Sequence, residues 1–306
     1  MAADGLLVID KPGGPTSHDV VQRVRKLLNT RRVGHGGTLD PDATGVLLVA
    51  VGRATRFFPF LSKADKSYEG TIRLGFATDT YDGSGRPASE PRPVTAGRHE
   101  VAAAMRTFEG TTLQTPPRFS AKKLAGTPAH RLARANEPFT LDAATVKVTR
   151  FSLLDYRPPD ITFSAHCSAG TYIRSLAHDL GQSLGCGAHL AALRRTAVGP
   201  YTLAEAVALS RLEEAAAAGA AAGHIRSLES LLPEVPAVFV RPEAESLVRN
   251  GRTLGPPQLD SPIPPWTGAG DTETSLVRLV SERGTLLALA RPTPDGAGLH
   301  PFLVLV

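Results

Sequence analysis

A glycine-marked turn that runs straight into an unbroken apolar segment constrains this chain more than any other stretch. Gly34, Gly36 and Gly37 permit backbone angles closed to other residues. Asp40 precedes Pro41, which biases it away from helix toward an extended conformation. Gly45 then opens Val46-Leu47-Leu48-Val49-Ala50-Val51, a continuous apolar run that reads as a buried strand. One carboxylate is thus carried on a constrained loop just ahead of a rigid element, an arrangement that can hold a catalytic group still. Read locally, an Asp-Pro beside glycines is also an ordinary turn. It is not a phosphate loop, because no Gly-Lys-Ser/Thr follows the glycines.

Around this stretch the chain alternates strands and helices. Gly5 to Lys11 reads as a short strand stopped at Pro12. Thr16 or Ser17 caps a helix whose apolar face is Val20, Val21, Val24, Leu27 and Leu28. From Tyr68 to Phe76 apolar and polar residues alternate, giving a strand with one buried face. His99 to Phe108 reads as a helix on Val101, Met105 and Phe108. Val146 to Tyr156 and Ile161 to Cys167 are two further strands. Gly170 then turns the chain, Thr171 caps a helix, and Ile173, Leu176, Ala177 and Leu180 form its buried stripe. Arg174 falls in the first turn of that helix, against the dipole, so it calls for a specific anionic partner. The alanine-rich segment Glu213 to Ala222 reads as a plain helix.

Two stretches differ from the rest. Gln114 to Asn136 brings Arg118, Phe119, Lys122, Lys123 and Arg131 together, and a basic segment beside an aromatic ring can bind phosphates while the ring packs on a base. The other reading is a surface loop anchored by Phe119. From Ala237 the composition shifts to Gly, Pro and short β-rich runs, at Ala237–Val240, Ser275–Val280, Thr285–Ala290 and Phe302–Val306. This spacing suggests a small barrel.

Length and charge bound the partners. A chain of 306 residues accommodates one large or two smaller domains. The net charge is +5, and residues 237–306, with six Arg, no Lys and seven acidic residues, carry −1 of it. The basic excess therefore lies in residues 1–236, which suits a polyanion. The start of the chain lacks a basic segment followed by a long apolar run, and no apolar stretch reaches membrane-spanning length. Cys167 and Cys186 have no metal-type pair spacing, which fits a reduced, cytoplasmic protein without a structural metal.

Residues 34–47, closed by Gly52-Arg53-Ala54-Thr55-Arg56, resemble the catalytic motif of the TruB family, the bacterial tRNA pseudouridine-55 synthases. The likeness extends over residues 5–200. It takes in the opening Leu-Leu-Val-Ile-Asp-Lys-Pro, the Asp65-Lys66-Ser67-Tyr68 segment, Gly170-Thr171-Tyr172-Ile173-Arg174, and Leu193-Arg194-Arg195. The resemblance implies an α+β fold with a catalytic domain built on a mixed, largely antiparallel sheet with flanking helices, at residues 1–236. It implies a thumb-like insertion at about 114–143 that closes on RNA, and a small barrel-like domain of the PUA type at 237–306. It implies that Asp40 is the nucleophile, that Arg174 pairs with it and that Tyr68 stacks on the uracil and helps remove the C5 proton. His35 is then the residue that helps open the RNA loop. Gly37, Thr38, Arg56, Tyr172 and Leu193 fall at substrate-contact positions, and Arg118, Phe119, Lys122, Lys123 and Arg131 on the thumb. Arg56 stands where some relatives have lysine, Phe119 where they often have tyrosine, and Thr196 where an apolar residue is common.

The implied partner is the T stem-loop of tRNA, acted on by a monomer that requires no protein partner, in the cytoplasm. Moving C1′ from N1 to C5 of uracil gains and loses no electrons, so the reaction needs no redox cofactor and no metal is implied. Two other classes stay open at the level of sequence. One is an RNA-binding or tRNA-folding protein without turnover, against which an intact Asp40, Tyr68 and Arg174 speak. The other is a metal-dependent hydrolase using His35, Asp40 and Asp42, which no His-x-x-x-His or carboxylate cluster supports.

Overall fold

A computed structural model describes residues 4–88, 90–135, 137–264 and 276–306. Ser275, at the start of one expected strand, and Asn136, at the end of the basic segment, lie outside the described residues. In chain order the elements are β1 (Gly5–Lys11), α1 (Ser17–Leu27), β2 (Val33–His35), β3 (Thr44–Val51), α2 (Phe58–Leu61), β4 (Lys66–Leu74), α3 (Arg98–Arg106) and β5 (Gly110–Gln114). There follow β6 (Lys123–Leu124), β7 (Thr127–Pro128), α4 (Ala129–Arg134), β8 (Ala144–Arg157), β9 (Asp160–Cys167), α5 (Ile173–Ser183), β10 (Ala188–Val198), β11 (Tyr201–Thr202) and β12 (Val207–Ala208). The last are α6 (Leu209–Ala217), β13 (Ala237–Val240), α7 (Glu245–Arg249), β14 (Val277–Ser281), β15 (Leu286–Pro292) and β16 (Leu299–Val304).

Ten strands form one mixed sheet whose main path runs β12-β1-β3-β10-β4-β9-β8-β5. Pairing is parallel at β1–β12 and β3–β10, and antiparallel from β10 through β4, β9 and β8 to β5. β3 sits inside this order, which is why its residues Val46 to Val51 are apolar on both faces and at most 1% exposed. β4 shows the expected alternation, burying Tyr68, Ile72 and Leu74 against Phe163, Leu176 and Leu180. α1 starts as expected: Thr16 caps it, and Asp19 returns the bond to the Thr16 amide at 2.9 Å.

Two local expectations need correction. Thr171 does not cap α5; the cap residue is Tyr172, whose side chain makes no capping bond. Gln114, at the end of β5, clamps that residue instead, accepting from the Tyr172 amide at 2.7 Å and donating to its carbonyl at 3.1 Å. A distant side chain has taken over the work of a local cap, which spacing could not reveal. The alanine-rich helix does not run from Glu213 to Ala222 either. α6 starts at Leu209 and ends at Ala217, because Gly219 enters the left-handed region at φ +72° and a 3-10 turn follows at Ala221–His224.

The chain divides into two compact units, one of Leu7–Val49 and Phe57–His224, the other of the chain up to Leu6, Ala50–Arg56 and Ile225–Val306. The second contains a four-stranded sheet in the order β13-β14-β15-β16, parallel only at β13–β14. Its core is Val238, Val240, Val248, Leu279, Leu287 and Leu299 with their neighbours. The segment between Leu254 and Leu259 bridges to Leu299 on one edge strand and to Val240 on the other, which makes the sheet barrel-like.

Candidate active site

The loop between β2 and β3 carries Asp40, and it is held on both sides. Ser17 accepts from the Leu39 amide at 2.8 Å and donates to the Leu39 carbonyl at 3.0 Å. The buried Lys11 ammonium donates to the carbonyls of Pro12, Pro15 and Pro41 at 2.7–2.8 Å. Burial lowers the Lys11 pKa to about 8. Gly37 supplies φ +123° at the start of the turn, and the Ala43 amide closes it on the Asp40 carbonyl at 3.1 Å. A residue with both neighbours tied has little freedom to swing.

Arg174 reaches Asp40 from the first turn of α5. Its Nε lies 2.9 Å from Oδ2 and its Nη2 3.0 Å from Oδ1, a two-point grip. The Arg174 side chain is 7% exposed. Its remaining donors go to the Thr80 carbonyl at 3.1 Å and the Phe119 carbonyl at 3.0 Å, and Asp82 approaches Nη1 at 3.5 Å. The Asp40 pKa is raised above the ordinary carboxylate value: burial dominates, Asp82 adds to it, and Arg174 opposes it. A paired arginine by itself would hold a carboxylate pKa down. Arg174 does pull in that direction, but partial desolvation of the carboxylate outweighs it.

Asp40 and Arg174 open onto a cavity of about 250 Å³. Gly37, Thr38, Tyr172 and Leu193 line it, as do Tyr68, Lys66 and Arg195. So eight of the expected site residues meet in one place: Gly37, Thr38, Asp40, Tyr68, Tyr172, Arg174, Leu193 and, through its backbone carbonyl on Arg174, Phe119. Tyr68 is 7% exposed, and burial pushes its phenol pKa up. Lys66 and Arg195 carry no role in the sequence reading. Lys66 is buried, donates to the Ser62 and Ala64 carbonyls at 2.8 and 2.6 Å, and has its pKa lowered by burial to about 8.

The other expected residues lie elsewhere. His35 ends β2, half-buried, and is not among the residues lining the cavity; burial lowers its pKa. Arg56, in the unit that holds the C-terminal sheet, donates to the Val304 carbonyl. On the basic segment, the exposed Arg118 guanidinium stands 4.9 Å from the centre of the Phe139 ring, and Lys122 donates to the Asp142 carbonyl at 3.0 Å. Lys123 lies on the small β6–β7 hairpin and Arg131 on α4, both exposed. Among the described residues no three His, Cys, Asp or Glu side chains come together to hold a metal ion, and no helix is long and apolar enough to cross a membrane.

Comparison with known proteins identifies the family. Residues 25–173 match the family described as TruB family pseudouridylate synthase (N terminal domain), and residues 174–233 match the tRNA pseudouridylate synthase B C-terminal domain. The chain is 43% identical over 302 residues to tRNA pseudouridine synthase B of Solibacter usitatus (strain Ellin6076), covering 99% of this chain and 100% of that protein. It is 46% identical over 244 residues to tRNA pseudouridine synthase B of Pseudomonas paraeruginosa (strain DSM 24068 / PA7), covering 80% and 76%. Among solved structures, a chain of an H/ACA RNP bound to a substrate RNA containing 2′-deoxyuridine superposes with a TM-score of 0.75 at 28% identity, covering 99% of this chain and 85% of the other. A chain of a Cbf5-Nop10-Gar1 complex gives 0.74 at 30% identity, covering 98% and 84%.

Fold, site and relatives together define a pseudouridylate synthase. The chain belongs to the TruB family of these enzymes.

Proposed function

We propose that this enzyme isomerises uridine to pseudouridine in tRNA, at position 55 of the T loop, with Asp40 as the nucleophile. The observation that carries this reading is the two-point Arg174–Asp40 pair at the mouth of a cavity that Tyr68 also lines. The reaction breaks the N1–C1′ bond, joins C5 to C1′ and releases the C5 proton. It requires an ionised nucleophile, a group near C5 that handles the proton, and a base withdrawn from its stack. Arg174 supports the ionised form of Asp40 against the burial that raises its pKa. Tyr68 stacks on the uracil and takes part in the proton transfer. Tyr172 and Leu193 complete the wall of the base pocket.

Flipping the nucleotide costs a few kcal/mol. His35 assists it by filling the space the base leaves, and Arg56 contacts the RNA. Residues 114–143 act as a thumb whose Arg118, Phe119, Lys122, Lys123 and Arg131 bind the RNA. Residues 1–236 form the catalytic domain, and residues 237–306, with their −1 charge, form a PUA-like accessory RNA-binding domain rather than an electrostatic clamp. The enzyme acts as a monomer in the cytoplasm and requires no protein partner. Mapping pseudouridine in tRNA from cells lacking the protein tests the reading. Loss confined to position 55, restored by the wild-type chain and not by Asp40→Asn, is the expected result. Unchanged modification at that position would overturn it.

A further inference from the structure

The largest fully buried side chain among the described residues is that of Arg195, 1% exposed. A buried guanidinium normally has a carboxylate beside it. Among the described residues no ion pair joins Arg195 to one, and its charge is met instead by Tyr68 and by backbone oxygens. Nε donates to the Val46 carbonyl at 2.7 Å, Nη2 to the Gly37 carbonyl at 3.2 Å and Nη1 to the Thr38 carbonyl at 3.4 Å. In the sheet Arg195 stands directly opposite Tyr68, as the cross-strand partner of β10 on β4, and both line the cavity that holds Asp40. Each therefore lies in the electrostatic field of the other.

This arrangement has a direction. A guanidinium is positively charged, with five donors and no acceptor, so the Tyr68 hydroxyl beside it presents its oxygen. The Tyr68 hydroxyl proton is therefore turned away from Arg195. The three carbonyl contacts fix the arginine itself. Burial raises the Tyr68 pKa, and Arg195 is the largest influence opposing that rise. The other ionisable groups near this pair are Cys167 and Asp40 around the phenol, and Lys66, Lys11 and His35 around the guanidinium.

We propose that Arg195 is a positioning residue for the isomerisation, acting through Tyr68: it seats the phenol oxygen and directs its proton toward the cavity. This rests on the function proposed above, and specifically on the role given there to the Tyr68 hydroxyl. A scaffold role alone would make Arg195 matter equally whether or not that hydroxyl is present.

A double-mutant cycle separates the two. Single-turnover rates at saturating tRNA are measured for wild type, Arg195→Met, Tyr68→Phe and the double variant, with tRNA affinity and circular dichroism recorded for each. Arg195→Met is expected to slow the wild type by about 30-fold or more, in the range of general acid–base effects, with tRNA affinity within about threefold. The same change in the Tyr68→Phe background is expected to cost less than about threefold. Equal losses in both backgrounds, or no loss in wild type, would overturn the proposal. Should Arg195→Met not fold, the same cycle with Arg195→Lys and with Arg195→Gln, which keep donors for the carbonyls, gives the same discrimination. Failure of the wild type to form pseudouridine would instead remove the proposed function itself, so the two failures are distinguishable.

Discussion

Arg174 holds both carboxylate oxygens of Asp40 from 134 residues further along the chain, Nε to Oδ2 at 2.9 Å and Nη2 to Oδ1 at 3.0 Å. The pair sets a pH dependence whose sign can be worked out. Burial raises the Asp40 pKa and Arg174 opposes that rise, so removing the arginine leaves the carboxylate easier to protonate. Arg174→Met is expected to move the acid limb of the single-turnover profile, measured from about pH 4 to 8 across the carboxylate range, to higher pH. Arg174→Lys keeps the charge but loses the fork, and should retain a small fraction of turnover. Asp40→Asn should fold, bind tRNA and form no detectable pseudouridine. An acid limb unmoved in Arg174→Met, or turnover by Asp40→Asn, would show that the pair is not catalytic.

Tyr68→Phe keeps the ring in its buried seat and removes only the hydroxyl. Stacking on the base survives, so tRNA affinity should stay within about threefold of wild type. The rate of C5 proton release should fall by about 100-fold or more, the scale of general acid–base catalysis. Tritium release from tRNA labelled at C5 measures this directly. A wild-type rate would reduce Tyr68 to a stacking residue.

Gly45 of β3 pairs with Arg195 of β10. Its φ is +99°, and a Cβ there would stand 2.2 Å from the Arg195 carbonyl oxygen. Gly45→Ala must therefore push two central strands apart as well as strain its own backbone. The expected result is a melting temperature lower by at least about 5 °C, corresponding to a loss of roughly 2 kcal/mol, or failure to yield folded protein. Differential scanning calorimetry of the purified variant checks it, and an unchanged Tm would contradict the close approach.

The basic segment offers a test that does not involve chemistry. Affinity for tRNA should fall as salt rises, because phosphate contacts release counterions. Alanine at Arg118, Lys122, Lys123 or Arg131 should each weaken binding and reduce the salt slope by about one. Turnover at saturating tRNA should change little. Filter binding from about 50 to 200 mM salt, the range over which such contacts weaken most visibly, reads both quantities. A slope unaffected by all four substitutions would place the RNA elsewhere.

Much of this protein was legible because its determinants are local. The apolar run after Gly45 marks a buried strand, Thr16 or Ser17 marks a helix start, and period-two alternation from Tyr68 marks the buried face of β4. The candidate residues Asp40, Tyr68 and Arg174 stood out by resemblance of the motifs that carry them. What local sequence could not contain is whatever depends on strands distant in the chain becoming neighbours. Gln114 displaces Thr171 at the start of α5 because β5 ends beside it. Lys11 clamps the loop after Asp40 because the turn that follows β1 comes to rest under Pro41. Arg195 reads in the sequence as one of two adjacent arginines on a strand. Strand alternation sends Arg194 to Asp10 at 2.7 Å and Arg195 to the opposite face, and the pairing of β10 with β4 and β3 sets that second guanidinium against Tyr68 and the Gly37–Thr38 carbonyls. Propensity and motif are properties of neighbours along the chain, whereas the environment of a buried charge is a property of neighbours in space, and only the assembled sheet decides those.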